Sequence, residues 1–265
     1  MPRLKIILLT LIWFLGIASS CHKDKPPVTT VVDTGNVVFK FANYVDGNPL
    51  QTDTMIYTNA AGNLYEVASV KYFISDVQFH KAGGSIVNID SCRWAYYVDN
   101  TIPSTLTWNI CDKLPVGTYD SITFRFGIIS SKNISNTFVN PPESNFYWPQ
   151  QLGDGYHYMQ INGKWKDSIN QVENLNTHIG IGRVISATDT TFVDNSFRVN
   201  LPASAFTITK GATKEIQIIM NIDSWYKTPY VFDFNHYGQM IMENETAMHL
   251  ICNNGFDVFT IGYIH

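Results

Sequence analysis

The sequence predicts an all-β fold, an antiparallel β-sandwich of the immunoglobulin-like or a related type. Three observations predict it. Segments that alternate apolar and polar residues with a period of two recur along the chain and are rich in β-branched and aromatic side chains. Glycine-containing turn pairs such as Asp46-Gly47, Gly83-Gly84, Asn162-Gly163 and Lys210-Gly211 separate them. Strands at this spacing, without helices alternating between them, favour a sandwich or barrel of antiparallel strands over a parallel sheet built from alternating strands and helices.

In chain order, the first element is an export signal over residues 1–20. Arg3 and Lys5 supply its charge, and Ile6 to Ile17 form an apolar run of 12 residues broken only by Thr10 and Gly16. That is too short to span a bilayer, which takes roughly 20 apolar residues. Ala18-Ser19-Ser20-Cys21 then resembles the lipobox of bacterial lipoproteins, with Ala18 standing where Leu is usual. The resemblance implies acylation of the Cys21 thiol, cleavage before it, and an anchor in a bacterial membrane, facing the periplasm or the cell surface. The alternative is an ordinary signal peptide cut near Ala18 or Ser20. Residues 21–34 are polar and carry Pro26-Pro27, the composition of a spacer between lipid and domain.

The domain occupies 35–265. Strands are expected at about Asn36 to Tyr44, Tyr65 to Lys81, Trp94 to Val98, Thr105 to Ile110, Tyr119 to Ile128, Tyr156 to Trp165, Thr177 to Ile185, Asp194 to Leu201, Lys214 to Ile222 and Phe256 to Ile264. Ser130 to Gly155, with Pro141-Pro142 and Pro149, is a long loop. Its Phe138, Phe146, Tyr147 and Trp148 argue for order, because disordered segments are poor in aromatics. Gly238 to Cys252 places Met240, Ile241, Ala247, Met248 and Ile251 on one face of a short C-terminal helix that ends at Asn253-Asn254-Gly255.

Charge excludes one class of partner. The whole chain carries −4; without residues 1–20 the basic residues fall from 18 to 16 against 22 acidic ones, giving −6. Nucleic acid needs a clustered basic surface. Besides Cys21 the cysteines are Cys92, Cys111 and Cys252. In an oxidising compartment Cys92 and Cys111 can pair across a hairpin, with Trp94 opposite Asn109 and Tyr96 opposite Thr107. Such a bridge is worth about 3 kcal/mol. Alternatively all three are small buried apolar residues.

No nucleophile elbow, phosphate loop, zincin motif or zinc-spaced cysteine pair is present, so the chain reads as a binding protein rather than an enzyme. The candidates with metal-binding chemistry are histidines. His80, His157 and His178 lie on expected strands, and each is either a ligand or a hydrogen-bonded structural residue. On the helix, His249 and Cys252 share a face near Met240, Met242 and Met248; soft sulfur suits Cu(I), but methionines at that spacing also fill cores. His22 and His265 read as solvated. A different reading makes Tyr147, Trp148, Tyr156, Trp225 and Tyr226 an exposed platform for a glycan or a protein.

Several segments taken in order carry a family resemblance: Tyr65-Glu66-Val67 through Tyr72-Phe73-Ile74-Ser75-Asp76-Val77, Leu114 to Tyr119 with Ile122 to Gly127, Phe146-Tyr147-Trp148, Gly155-Tyr156 through Asn162-Gly163, and Thr177-His178-Ile179-Gly180. Over roughly Asn36 to Ile264 the chain resembles the MbnP-like family, periplasmic or surface β-sandwich proteins named for a copper-binding member. The resemblance implies a copper ion held by histidine nitrogens beside a Trp that a dihaem peroxidase-like partner oxidises to kynurenine. Carried over by motif, the candidates are His178 and Trp148, with His80 or His157 as a third ligand. Gln150 stands where the family usually has a second Trp, and Asn162 where it has the Glu of a Glu-Gly pair.

Overall fold

The computed structural model describes residues 32–265; the export signal, Cys21 and the spacer up to Val31 lie outside the described residues. Two sheets face each other. One orders Phe259–Ile264, Thr213–Asn221, Thr34–Val45 and Asn48–Pro49 side by side, with Thr107–Asn109 and Leu114–Pro115 also on the first strand. The other orders Val172–Ile179, Met159–Lys166, Leu64–Lys81, Gly117–Phe126 and Phe197–Leu201, and further short strands add to its edges. Gly182–Ile185 and Thr190–Val193 form a separate hairpin.

Alternation explains which side chains meet between the sheets. Val37, Phe39 and Phe41 of the first strand are buried, and the residues between them are half-buried. Phe39 meets Phe79, and Phe41 meets Tyr72, across the core. Among the described residues the paired strands run antiparallel except at one place. Thr34–Val45 runs parallel to Thr213–Asn221, from Asn36 opposite Thr213 to Tyr44 opposite Asn221. Among the described residues no helix is long and apolar enough to cross a membrane.

The 18-residue strand Leu64–Lys81 organises the functional side. Along one edge it pairs first with Met159–Lys166 and then with Gly117–Phe126. The exchange falls at Phe73, whose N–H donates to Tyr158 O at 2.9 Å while its carbonyl accepts from Gly127 N at 2.8 Å. Gly127 sits at φ +75°, and a Cβ there would come 2.5 Å from Cγ of Tyr158, so only glycine fits the crossing of three strands. The Phe73 ring lies on the face away from the main core, against Tyr97, Phe138, Phe146 and Tyr156. This second aromatic cluster pins down the loop 130–155.

Several sequence expectations are corrected. Thr177 to Ile185 is two strands, because the backbone turns at Gly180 and Ile181 to enter the hairpin. The strand expected from Thr105 to Ile110 is shorter: Thr105 and Leu106 close a 3-10 turn, Pro103–Leu106, and Thr107–Asn109 is extended. The helix expected from Gly238 begins only at Glu245 and runs to Asn254, capped by Asn244, so Met240 and Ile241 lie before it; an unexpected single turn, Phe234–Tyr237, capped by Asp233 and ended by Gly238 at φ +79°, precedes it. Cys92 and Cys111 are joined by a disulfide, but not across a hairpin. Ala95–Asp99 pairs with the long strand and Thr107–Asn109 with the first strand, so the bridge links the two sheets. Tyr96 stacks on Trp108 at 4.7 Å beside it.

Candidate metal centre

Three rings lie in a row under the loop 130–155. Phe146 to Trp148 runs alongside Gly155 to His157: Trp148 N–H donates to Gly155 O at 2.8 Å and His157 N–H to Phe146 O at 2.9 Å. Asn133 braces this pairing, donating to Tyr156 O and accepting from Tyr156 N. The result places His157 between two partners. Its ring is edge-to-face with Trp148, centroids 4.7 Å apart, and with His178, 5.4 Å apart. Trp148 is 1% exposed and His157 6%.

His178 stands on the strand Val172–Ile179, on the face opposite the core-facing Thr177 and Ile179. Its cross-strand neighbour is Gln160, whose own neighbour on the long strand is Lys71. Two residues further on, Gly180 lets the indole of Trp148 close down; a Cβ at Gly180 would lie 2.5 Å from the indole Cδ2. Trp148 Nε1 donates to Leu152 O at 3.1 Å.

Hydrogen-bond partners fix the protonation of both imidazoles. His178 Nε2 is 2.7 Å from Asn162 Oδ1, which can only accept, so Nε2 carries the proton. His178 Nδ1 then keeps a lone pair, and it is buried with no hydrogen-bond partner. His157 Nδ1 faces Phe146 O at 3.3 Å and donates to it. Its Nε2 accepts from the Gln160 amide at 3.0 Å. Burial pushes the His157 pKa down to about 3, helped by the neighbouring His178 and opposed by the carbonyls of Phe146 and Tyr147. Burial, then Lys71, pushes that of His178 down to about 4. Both rings are therefore neutral near pH 7, the form that ligates metal.

The sequence candidates separate. His157, His178 and Trp148 come together. His80 does not: it lies nine residues beyond Lys71 on the same strand, about 30 Å at strand rise, and bonds Thr123 Oγ1 at 3.0 Å. His249 is exposed and Cys252 half-buried, its thiol pushed well above the usual range by burial and then by Glu245 and Asp194. Among the described residues no cluster of three or more His, Cys, Asp or Glu side chains has metal-holding geometry. The aromatic platform is overturned. Trp148, Tyr156, Trp225 and Tyr226 are all core, and only Tyr147, 65% exposed, faces solvent. Sequence reading missed Gln160, although its spacing of two from Asn162, opposite His178 on the adjacent strand, puts both on one sheet face.

The sequence profile of the family described as MbnP matches residues 34–245. A solved structure, MbnP from Methylosinus trichosporium, is 14% identical, with 76% of this chain and 80% of that chain covered and a TM-score of 0.49. No curated protein matches.

Proposed function

From the premise that this chain belongs to the MbnP family, we propose that it is an exported, lipid-anchored, non-catalytic binding protein that takes copper at His157 and His178 beside Trp148. The observation that carries the reading is the unpartnered Nδ1 of His178. A buried acceptor without a donor costs about 1–3 kcal/mol, and a metal ion would use the lone pair that the protein leaves unused. Imidazole nitrogen suits copper. His157 would offer Nε2 once the Gln160 amide swings aside, and Asn162 would hold the His178 ring in the tautomer that ligates through Nδ1. Copper bound there would be shielded by Trp148 and Phe146, which lie against His157.

Purified protein loaded with copper and desalted is expected to retain the metal. His178→Ala should lower retention at least tenfold, and Asn162→Ala should weaken it less. Metal-free wild-type protein after desalting would sink the reading, as would undiminished retention in the His178 variant. The anchor is tested separately by growing cells with a palmitate analogue. Label is expected on the wild type and absent from Cys21→Ser; continued labelling of that variant would refute lipidation at Cys21.

A further inference from the structure

On the same sheet, but sharing no residue with the histidine pair, a second pocket gathers three cations around Asp76, with Asp90 also on its wall. The long strand bulges between Ser75 and Gln78, and Asp76 in that bulge takes φ +48°. Arg125 and Arg198 are direct cross-strand partners on the two neighbouring strands. Like charges in that position repel. Lys132, from the loop that follows, completes the group.

All three cations turn to Asp76. Lys132 Nζ bonds its Oδ1, Arg125 Nε lies 3.7 Å from its Oδ2, and Arg198 Nη1 donates to its backbone carbonyl at 2.6 Å. Arg198 Nη2 also donates to Gln78 Oε1, and Arg125 Nη1 to Ser196 Oγ at 3.0 Å. Among the described residues, Asp76 is the one carboxylate of the pocket that engages these cations, and it does not satisfy them all. Arg125 Nε is shielded from solvent and has no hydrogen-bond partner. Asp90, also on the pocket wall, forms no ion pair with any cation among the described residues. The cavity, about 260 Å³, is lined by Asp76, Gln78, Asp90, Arg125, Lys132 and Arg198 among others, large enough for a small polyatomic ion. Burial and then the facing Arg125 hold the Arg198 guanidinium below the ordinary arginine range, against the opposing pull of Asp76.

We propose that this pocket binds a small oxyanion, a carboxylate or a phosphoryl group, seated between Arg125, Arg198 and Lys132. Guanidinium forks match the geometry of both groups, and the ammonium adds a point charge. Bound there, the anion relieves the Arg125–Arg198 repulsion that Asp76 alone leaves standing. In a chain of net charge −4, such a local excess of cations is selective for anions that the rest of the surface repels.

Calorimetric titration of the full chain at low ionic strength, once with inorganic phosphate and once with citrate, tests this. Saturable one-to-one binding of at least one is expected. Phosphate alone would assign a phosphoryl ligand, citrate alone a carboxylate, and both a general oxyanion site. Arg198→Gln and Lys132→Gln, at exposed or half-exposed side chains, should each weaken binding at least tenfold with unchanged circular dichroism. Absence of saturable heat with both anions would overturn the proposal, and so would affinity unchanged in both variants.

Discussion

Trp148→Ala is expected to destabilise the domain by about 3–5 kcal/mol, the cost of truncating a large buried aromatic side chain. Nothing nearby can fill the space. Gly180 beneath the indole has no side chain, and His157 on its other side is fixed by Phe146 and Gln160. Trp148→Phe should lose far less, about 1 kcal/mol, because it keeps a ring and gives up mainly the Nε1 bond to Leu152 O. Urea unfolding monitored by circular dichroism measures both. A Trp148→Ala loss below about 1 kcal/mol would show that the loop, not the indole, covers His157. In the same variant the His157 pKa should rise toward the 6.5 of a free side chain as water reaches the ring.

Acidification is expected to weaken the fold well before most carboxylates titrate. His157 and His178 have folded pKa values of about 3 and about 4 against 6.5 for the free side chain. Below pH 6.5 the unfolded chain takes up protons that the folded chain refuses. Stability therefore falls as pH drops, with full stability above the unfolded value and the loss completed as pH passes through the folded ones. Each tenfold difference in proton affinity between the folded and unfolded chains is worth about 1.4 kcal/mol, so the pair together costs on the order of several kcal/mol by about pH 4. The window between about pH 6.5 and 5 lies above the ordinary carboxylate range, and comparison with the double histidine variant isolates the histidines' share there. Asp194 and Asp233 are held below the usual range by hydrogen bonds that outweigh their burial, and they add their own loss at lower pH. Thermal melts across that window should show a steep slope in the wild type and a shallow one in His157→Gln/His178→Gln. Parallel slopes would contradict the assignment of the loss to this pair. The same protonation would release copper, so retention should hold to a lower pH than an exposed histidine site allows.

Much of the fold was legible because alternation is local. The Tyr65 to Lys81 run, the strands near Tyr119 and Lys214, and the aromatic order of the loop 130–155 all follow from neighbours in sequence. Pairing is not local, and there alternation carries no information. Nothing near Asn36 announces a parallel partner at Thr213, and the Cys92 and Cys111 strands look like a hairpin until both are seen to have better partners elsewhere. The site divides in the same way. His178 and Trp148 could be picked out by motif, and His157 was one of two histidines offered to complete them. What distinguishes His157 from His80 is which half of one long strand lies beneath the loop, a consequence of the partner exchange at Phe73. The expected exposure failed for Tyr156 because a second apolar cluster lies outside the main core, and for Trp225 and Tyr226 because a 3-10 turn folds both into the main core against Phe126, Phe259 and Tyr65. Composition does not reveal that.

The parallel ladder between Thr34–Val45 and Thr213–Asn221 has a kinetic consequence. It joins residues 177 apart, so its contacts close a very long loop before any of them is rewarded. A chain emerging from a ribosome or a translocation channel can form the local hairpins around Gly83 and Lys166 early. It must wait for residue 213 before the first strand gains its longest neighbour. Assembly of the sandwich is thus a late, all-or-none step on the slow millisecond-to-second scale of non-local β folds, and the polypeptide stays threadable until nearly all of it has been made.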